Sequence, residues 1–182
     1  MADENLALHF ACTRDEAMKF VDDAKSFWVA NCGCRKSGKG CTRSRMDVCL
    51  QFRLDENWKA KPTPISLNEV KTIFQEAKEK HLVTRPFRNQ QDKARIDGIC
   101  FCCDDCCGYF LNSEEVCDKG KLIEETSGDD CINCGACISV CYFKARKMKD
   151  GALSIERNLC YGCGLCLDVC PVDCIKMVQR EA

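Results

Sequence analysis

The chain has 182 residues with 27 basic and 28 acidic side chains, a formal net charge of −1 that by itself excludes little. Its 20 cysteines are more telling. Residues 1–30 lack the basic start, apolar run and small-residue cleavage site of a secretory leader, and no stretch approaches a membrane span, so an oxidised disulfide scaffold and a spanning protein are not expected. The thiols are expected to stay reduced in a cytoplasm, where their density reads as metal ligation. Oxygen-sensitive centres in such number suggest an anaerobe. The length allows one or two domains.

Thr13-Arg14-Asp15-Glu16 reads as a capping box, a hydroxyl and a carboxylate each satisfying a free amide at a helix start. Ala17, Phe20, Val21, Ala24 and Trp28 follow at helical spacing, with Phe27 widening the stripe. The chain then presents Cys32-Gly33-Cys34-Arg35, Cys41 and Cys49, four cysteines within eighteen residues, with Cys49 expected in a short helix from Arg45 to Phe52. Arg35, Lys36, Lys39, Arg43 and Arg45 form a basic run. It could dock an acidic partner or offset a thiolate cluster. No aromatic residue is interleaved in it for base stacking, so no nucleic-acid partner is expected.

Ser66-Leu67-Asn68-Glu69 repeats the capping signature. Val70, Ile73, Phe74 and Ala77 supply the apolar face of a second helix, and Glu69, Lys71, Glu76, Lys78 and Lys80 the wet one. A second thiol-rich segment comes at Cys100, Cys102, Cys103, Cys106 and Cys107. Five thiols in eight residues cannot all serve one cubane, so some must reach the 32–49 segment. Two arrangements stay open for these nine cysteines: each segment holds its own cluster, or the segments share one or two. Zinc is the alternative occupant, and a redox-active dithiol a third reading.

Towards the C-terminus one pattern is spelled twice: Cys131-x-x-Cys134-x-x-Cys137-x-x-x-Cys141, then Cys160-x-x-Cys163-x-x-Cys166-x-x-x-Cys170-Pro171. Three thiolates spaced two residues apart can wrap three corners of a cubane, and the fourth corner needs a distant ligand. Between the runs, a strand from Ala145 to Met148, an Asp150-Gly151 turn and a strand from Ala152 to Ile155 read as a hairpin. A last strand is expected from Ile175 to Val178.

At these residues the chain resembles the bacterial-type two-cluster ferredoxins. The resemblance implies two [4Fe–4S] clusters with crossed ligation: Cys131, Cys134, Cys137 and Cys170 for one, Cys160, Cys163, Cys166 and Cys141 for the other. One residue departs from that family, Tyr142 standing where it usually has proline. Tyr142, Phe143, Tyr161 and Leu165 are expected to shield the clusters from water. Over a longer span the chain is similar to anaerobe iron–sulfur proteins in which a Cys-x-Cys-Arg segment and a Cys-Cys-rich segment precede a two-cluster module. Cys106-Cys107-Gly108 resembles the Cys-Cys-Gly motif of heterodisulfide reductases, without that family's flanking spacing.

The expected architecture is α+β, with a helical cysteine-rich module over 1–128 and a two-cluster ferredoxin-like domain over 129–182. From Asp129 to Ala182 seven basic residues balance seven acidic ones. Such neutrality suits a dedicated redox partner, or a subunit of a complex, better than a freely diffusing carrier. The expected function is a relay of single electrons through two C-terminal clusters and one or two further N-terminal ones. Two alternatives are a reductase whose N-terminal cysteines build an active-site cluster, and a zinc-holding regulatory or assembly protein. Cys12, Cys117 and Cys174 read as buried apolar residues, and His9 and His81 as surface or helix-end residues. No phosphate-binding loop, hydrolase triad or flavin fingerprint supports an enzyme acting alone on an organic substrate.

Overall fold

The computed structural model describes residues 6–38, 40–54, 61–112 and 115–181; Lys39 of the basic run lies outside them. In chain order these residues form β1 (His9–Phe10), α1 (Arg14–Asp22), β2 (Phe27–Ala30), α2 (Gly33–Ser37), β3 (Cys49–Gln51), β4 (Thr63–Ile65), α3 (Leu67–Glu79), β5 (Val83–Arg88) and β6 (Ile96–Cys102). There follow α4 (Gly108–Leu111), β7 (Cys117–Asp118), β8 (Leu122–Thr126), α5 (Ala136–Ser139), β9 (Arg146–Lys149), β10 (Ala152–Ile155), α6 (Leu165–Asp168) and β11 (Ile175–Gln179). The α+β expectation is met.

The helical N-terminal module is not what forms. Its frame is a seven-stranded sheet in the order β4-β2-β3-β6-β5-β1-β7, with α1 and α3 as its two longer helices. All but one neighbouring pair run antiparallel, β1 and β7 being parallel. Cys49 lies in a strand and not in the expected helix. Its strand pairs with β2 on one side and β6 on the other, so Leu50 is fully buried and Gln51 nearly so, and this tertiary pairing outweighs local helix preference. Gly98, opposite Gln51, has no room for a side chain: a Cβ there would stand 2.2 Å from the Leu50 carbonyl oxygen.

Both capping boxes form. Thr13 and Glu16 close one at the start of α1, and Ser66 and Glu69 close the other at α3. The four apolar residues expected on α3, Val70, Ile73, Phe74 and Ala77, are its four buried ones. Helix α1 stops at Asp22, six residues short of the expected stripe's end, and Phe27 and Trp28 belong to β2. His81 follows α3 in the left-handed region, at φ 51°, as a helix-end residue.

The C-terminal module is two ribbons and two short helices. β9 pairs with β10 across Asp150-Gly151, where both residues take positive φ as the tight turn requires. β11 pairs with β8, a strand that lies ahead of the expected boundary at residue 129. One apolar cluster runs through both modules, joining Val21, Leu50, Ile99 and Phe101 to Val140, Tyr142 and Leu165.

Candidate metal centres

The two cysteine runs fold as near copies. Asn133 and Gly162, two residues after the first cysteine of each run, have positive φ. So do Gly135 and Gly164, two residues further on, and Lys144 and Asp173, three residues after each fourth cysteine. Gly135 and Gly164 cap α5 and α6 at the same offset. This repeated left-handed backbone bends each run into a cup, and at Gly162 only glycine fits, since a Cβ would meet the Leu122 carbonyl at 2.2 Å.

Each cup closes a cavity with a cysteine from the other run. Cys131, Cys134, Cys137 and Cys170 line one, together with Ile132, Leu153, Pro171 and Ile175. Cys141, Cys160, Cys163 and Cys166 line the second, with Val140, Phe143, Tyr161, Leu165 and Met177. Burial pushes the Cys163 thiol up to about 12 and raises Cys166 and Cys141 as well, so thiolates at these positions require a bound cation to balance them. Soft donors in an apolar lining fit iron–sulfur clusters. Cys174, read from sequence as a mere apolar residue, also lines the first cavity, its Sγ 3.5 Å from that of Cys170.

Arg146 is the charge between the two cavities. It stands among the exposed lysines Lys144, Lys147 and Lys149, yet it is itself 4% exposed. Its Nη1 donates to Cys137 Sγ at 3.4 Å, its Nη2 to Glu124 Oε2 at 2.6 Å, and it lines the second cavity too. Glu124 is equally buried and comes from β8.

In the N-terminal module, sheet pairing gathers thiols from distant segments. Contacts run from Cys32 to Cys34, Cys34 to Cys107, Cys107 to Cys102, Cys102 to Cys100 and Cys100 to Cys49, a six-thiol basin at one end of β3 and β6. Hydrogen bonds from Cys107 and then Cys32 pull the Cys34 thiol down to about 2. Arg85, 1% exposed, donates to Cys107 Sγ at 3.3 Å and lies 3.8 Å from Cys102 Sγ; its other nitrogen meets Glu115 at 2.5 Å. Glu115 also receives His9 Nδ1 at 3.1 Å, which leaves His9 Nε2 facing Cys100 Sγ at 3.9 Å. His9 is therefore no surface residue of the bland kind. Its carboxylate partner and its thiol lie 106 and 91 residues away, so nothing in the local sequence announces the arrangement.

Cys41, Cys103 and Cys106 stand apart from this basin as a group of their own, with Sγ atoms within 4.8 Å of one another. Arg43 pairs with Asp104 at 3.0 Å beside them, and Arg35, buried at 1% exposure, donates to Phe101 O and Ser44 Oγ. Arg35 and Arg43 of the basic run are thus spent on the thiol segments, while Arg45 pairs with Glu76 at 3.2 Å.

Aromatic residues fill the space between the modules. Phe143 stacks on Tyr161 at 4.2 Å and 8°, and Tyr109 and Phe110 from α4 pack edge-on against that pair and Tyr142. Arg85 lies 4.4 Å above the Tyr109 ring and Arg43 5.3 Å from that of Tyr142. Tyr142, the departure from proline, is a buried contact to the N-terminal module and does not line either cavity.

Residues 122–177 match the family model of the 4Fe-4S dicluster domain. This stretch is a ferredoxin-type iron–sulfur module at the C-terminal end of the chain, and with the cysteine content it supports an electron-transfer role. No curated protein matches the chain. Among the described residues no helix is long and apolar enough to cross a membrane.

Proposed function

We propose that the chain is a dedicated electron relay, passing single electrons through two [4Fe–4S] clusters and a further centre in the six-thiol basin. The observation that carries this is the crossed lining of the two cavities, in which Cys170 completes the set of Cys131, Cys134 and Cys137, and Cys141 that of Cys160, Cys163 and Cys166. We assign these two fours as the ligands. When bound, the clusters supply one-electron chemistry at potentials set by charge, hydrogen bonds to sulfur and exposure.

The remaining work falls to the chain. Val140, Phe143, Tyr161 and Leu165 keep water from the second cavity. Arg146 donates to Cys137 of the first set and places its positive charge beside the second cavity, held there by Glu124. Cys32, Cys34, Cys49, Cys100, Cys102 and Cys107 are the candidate ligands of the further centre. Arg85 offsets part of their negative charge. Tyr109, Phe110, Phe143 and Tyr161 pack in one apolar cluster with Cys34 and Cys107 of this basin and Cys163 of the second cavity. The neutral C-terminal module fits a dedicated partner or a place in a larger redox complex, in the cytoplasm of an anaerobe.

A second reading has one observation in its favour. Glu115 orients the His9 imidazole toward Cys100, which suits reduction of a disulfide or small molecule at the basin. Anaerobic purification of the full chain separates the two. The relay predicts about twelve iron atoms with every iron bound by four sulfurs. An iron with a non-sulfur or vacant position that binds added thiol in the paramagnetic resonance spectrum favours the reductase. Colourless protein that stays folded ends both.

A further inference from the structure

The spacing of the sulfur atoms divides the nine N-terminal cysteines. Among the described residues, Cys41, Cys103 and Cys106 are the one group of three ligand atoms lying within 4.8 Å of one another. Cys41 Sγ is 3.6 Å from Cys103 Sγ, and Cys103 Sγ 3.7 Å from Cys106 Sγ. Four thiolates around one zinc ion at about 2.3 Å stand about 3.8 Å apart, which is the tetrahedron's edge. A cubane binds each thiolate outside its own iron, so its ligands stand farther apart. The C-terminal cavities provide the internal ruler: no three of the cysteines lining either one meet the same 4.8 Å test.

We propose that Cys41, Cys103 and Cys106 form a site for a single zinc-class divalent ion, separate from the cluster cavities and from the six-thiol basin. The surrounding backbone is arranged for thiolates. Cys41 accepts the amides of Arg43 and Ser44, and Cys103 that of Asp105. The Arg35 guanidinium lies close to Cys106, where its charge offsets the negative charge that three thiolates leave on a divalent ion. Asp105, whose carboxylate accepts the Thr42 amide at 2.8 Å and also contacts Cys41, is the protein oxygen we assign to the fourth position. Closing this site ties the loop after α2 to the turn after β6, 62 residues away in sequence. Its binding energy is thus folding energy for the module that carries the basin.

The proposal adds to the relay and does not depend on it. It is tested on the full chain purified without oxygen, by zinc and iron content and zinc-edge X-ray absorption. The expected result is one zinc per chain with three sulfurs at about 2.3 Å and one lighter ligand. Cys41→Ser and Cys106→Ser should each lower zinc occupancy more than tenfold against a fixed chelator concentration, with iron per chain and the visible cluster absorbance retained. Should either variant fail to fold, the absorption edge of the unaltered protein decides. Zinc at background in the unaltered protein, or a variant that loses iron while zinc is unaffected, overturns the site. Iron-free protein that holds one zinc on three sulfurs would end the relay and leave this site standing.

Discussion

The two modules solve the same problem by opposite means. In the C-terminal one, three of the four thiols assigned to each cluster come from a run of seven residues, and a repeated left-handed backbone shapes the cup. In the N-terminal one, no short run suffices: the basin draws on residues 32–49 and 100–107, and only the pairing of β3 with β6 brings them together. Local chemistry defines the first kind of site, and long-range pairing the second. The first should therefore fail one ligand at a time, and the second whenever its sheet fails.

The largest effect follows from the crossed lining. Cys163→Ala should lower iron by about four atoms per chain, by removing one corner of the second set while leaving Cys131, Cys134, Cys137 and Cys170 in place. Iron analysis with resonance spectroscopy of the reduced protein checks this, and retention of all the iron would separate the two sets from their proposed clusters. The next effect belongs to the charge between the cavities. Arg146 and Glu124 are both 2% exposed at the side chain, so Arg146→Met strands a carboxylate and should cost ~3–5 kcal/mol in anaerobic denaturant unfolding. Arg157, 3.9 Å from the other Glu124 oxygen, is half-exposed and compensates little. The double variant with Glu124→Leu should recover much of the loss, the coupling that a shared buried pair requires.

Leu50→Ala sharpens the contrast. Fully buried in the interior strand β3, it should cost ~2–5 kcal/mol. The expected signature is selective: metal bound by the N-terminal cysteines becomes labile to chelator while the C-terminal iron is kept. Equal loss from both modules would mean that the sheet supports both sites alike.

This contrast also governs what could be read from the sequence. The capping boxes at Thr13 and Ser66, the apolar face of α3 and the Asp150-Gly151 hairpin are local patterns, and each forms as read. The seven-stranded sheet was missed because its strands are two to seven residues long and β5 and β6 carry arginine, proline and cysteine where alternating apolar residues would mark them. The burial of Arg146 is hidden from the sequence for a related reason. Its partner Glu124 lies 22 residues earlier, on a strand outside the expected domain. His9 shows the same limit at greater range, since its role is written only in contacts to Glu115 and Cys100.

The smallest prediction tests whether the modules are merely adjacent. Thr13→Ala and Ser66→Ala remove equivalent caps, and by capping alone each should cost ~1 kcal/mol. The surroundings differ. Ser66 is exposed at the start of α3, whereas the methyl of Thr13 sits where a Cβ on Gly164 would approach it to 3.1 Å, beside the cap of α6. Arg14, the next residue, pairs through its guanidinium with Asp168 at the end of α6, both being largely buried. Helix α1 is thus seated on the second cysteine run by its own first turn. Thr13→Ala should accordingly exceed Ser66→Ala in cost by a few tenths of a kcal/mol, and it alone should shift the resonance spectrum of the cluster assigned to Cys160, Cys163, Cys166 and Cys141. Equal costs and unchanged spectra would reduce the shared apolar cluster to simple contact between independent modules.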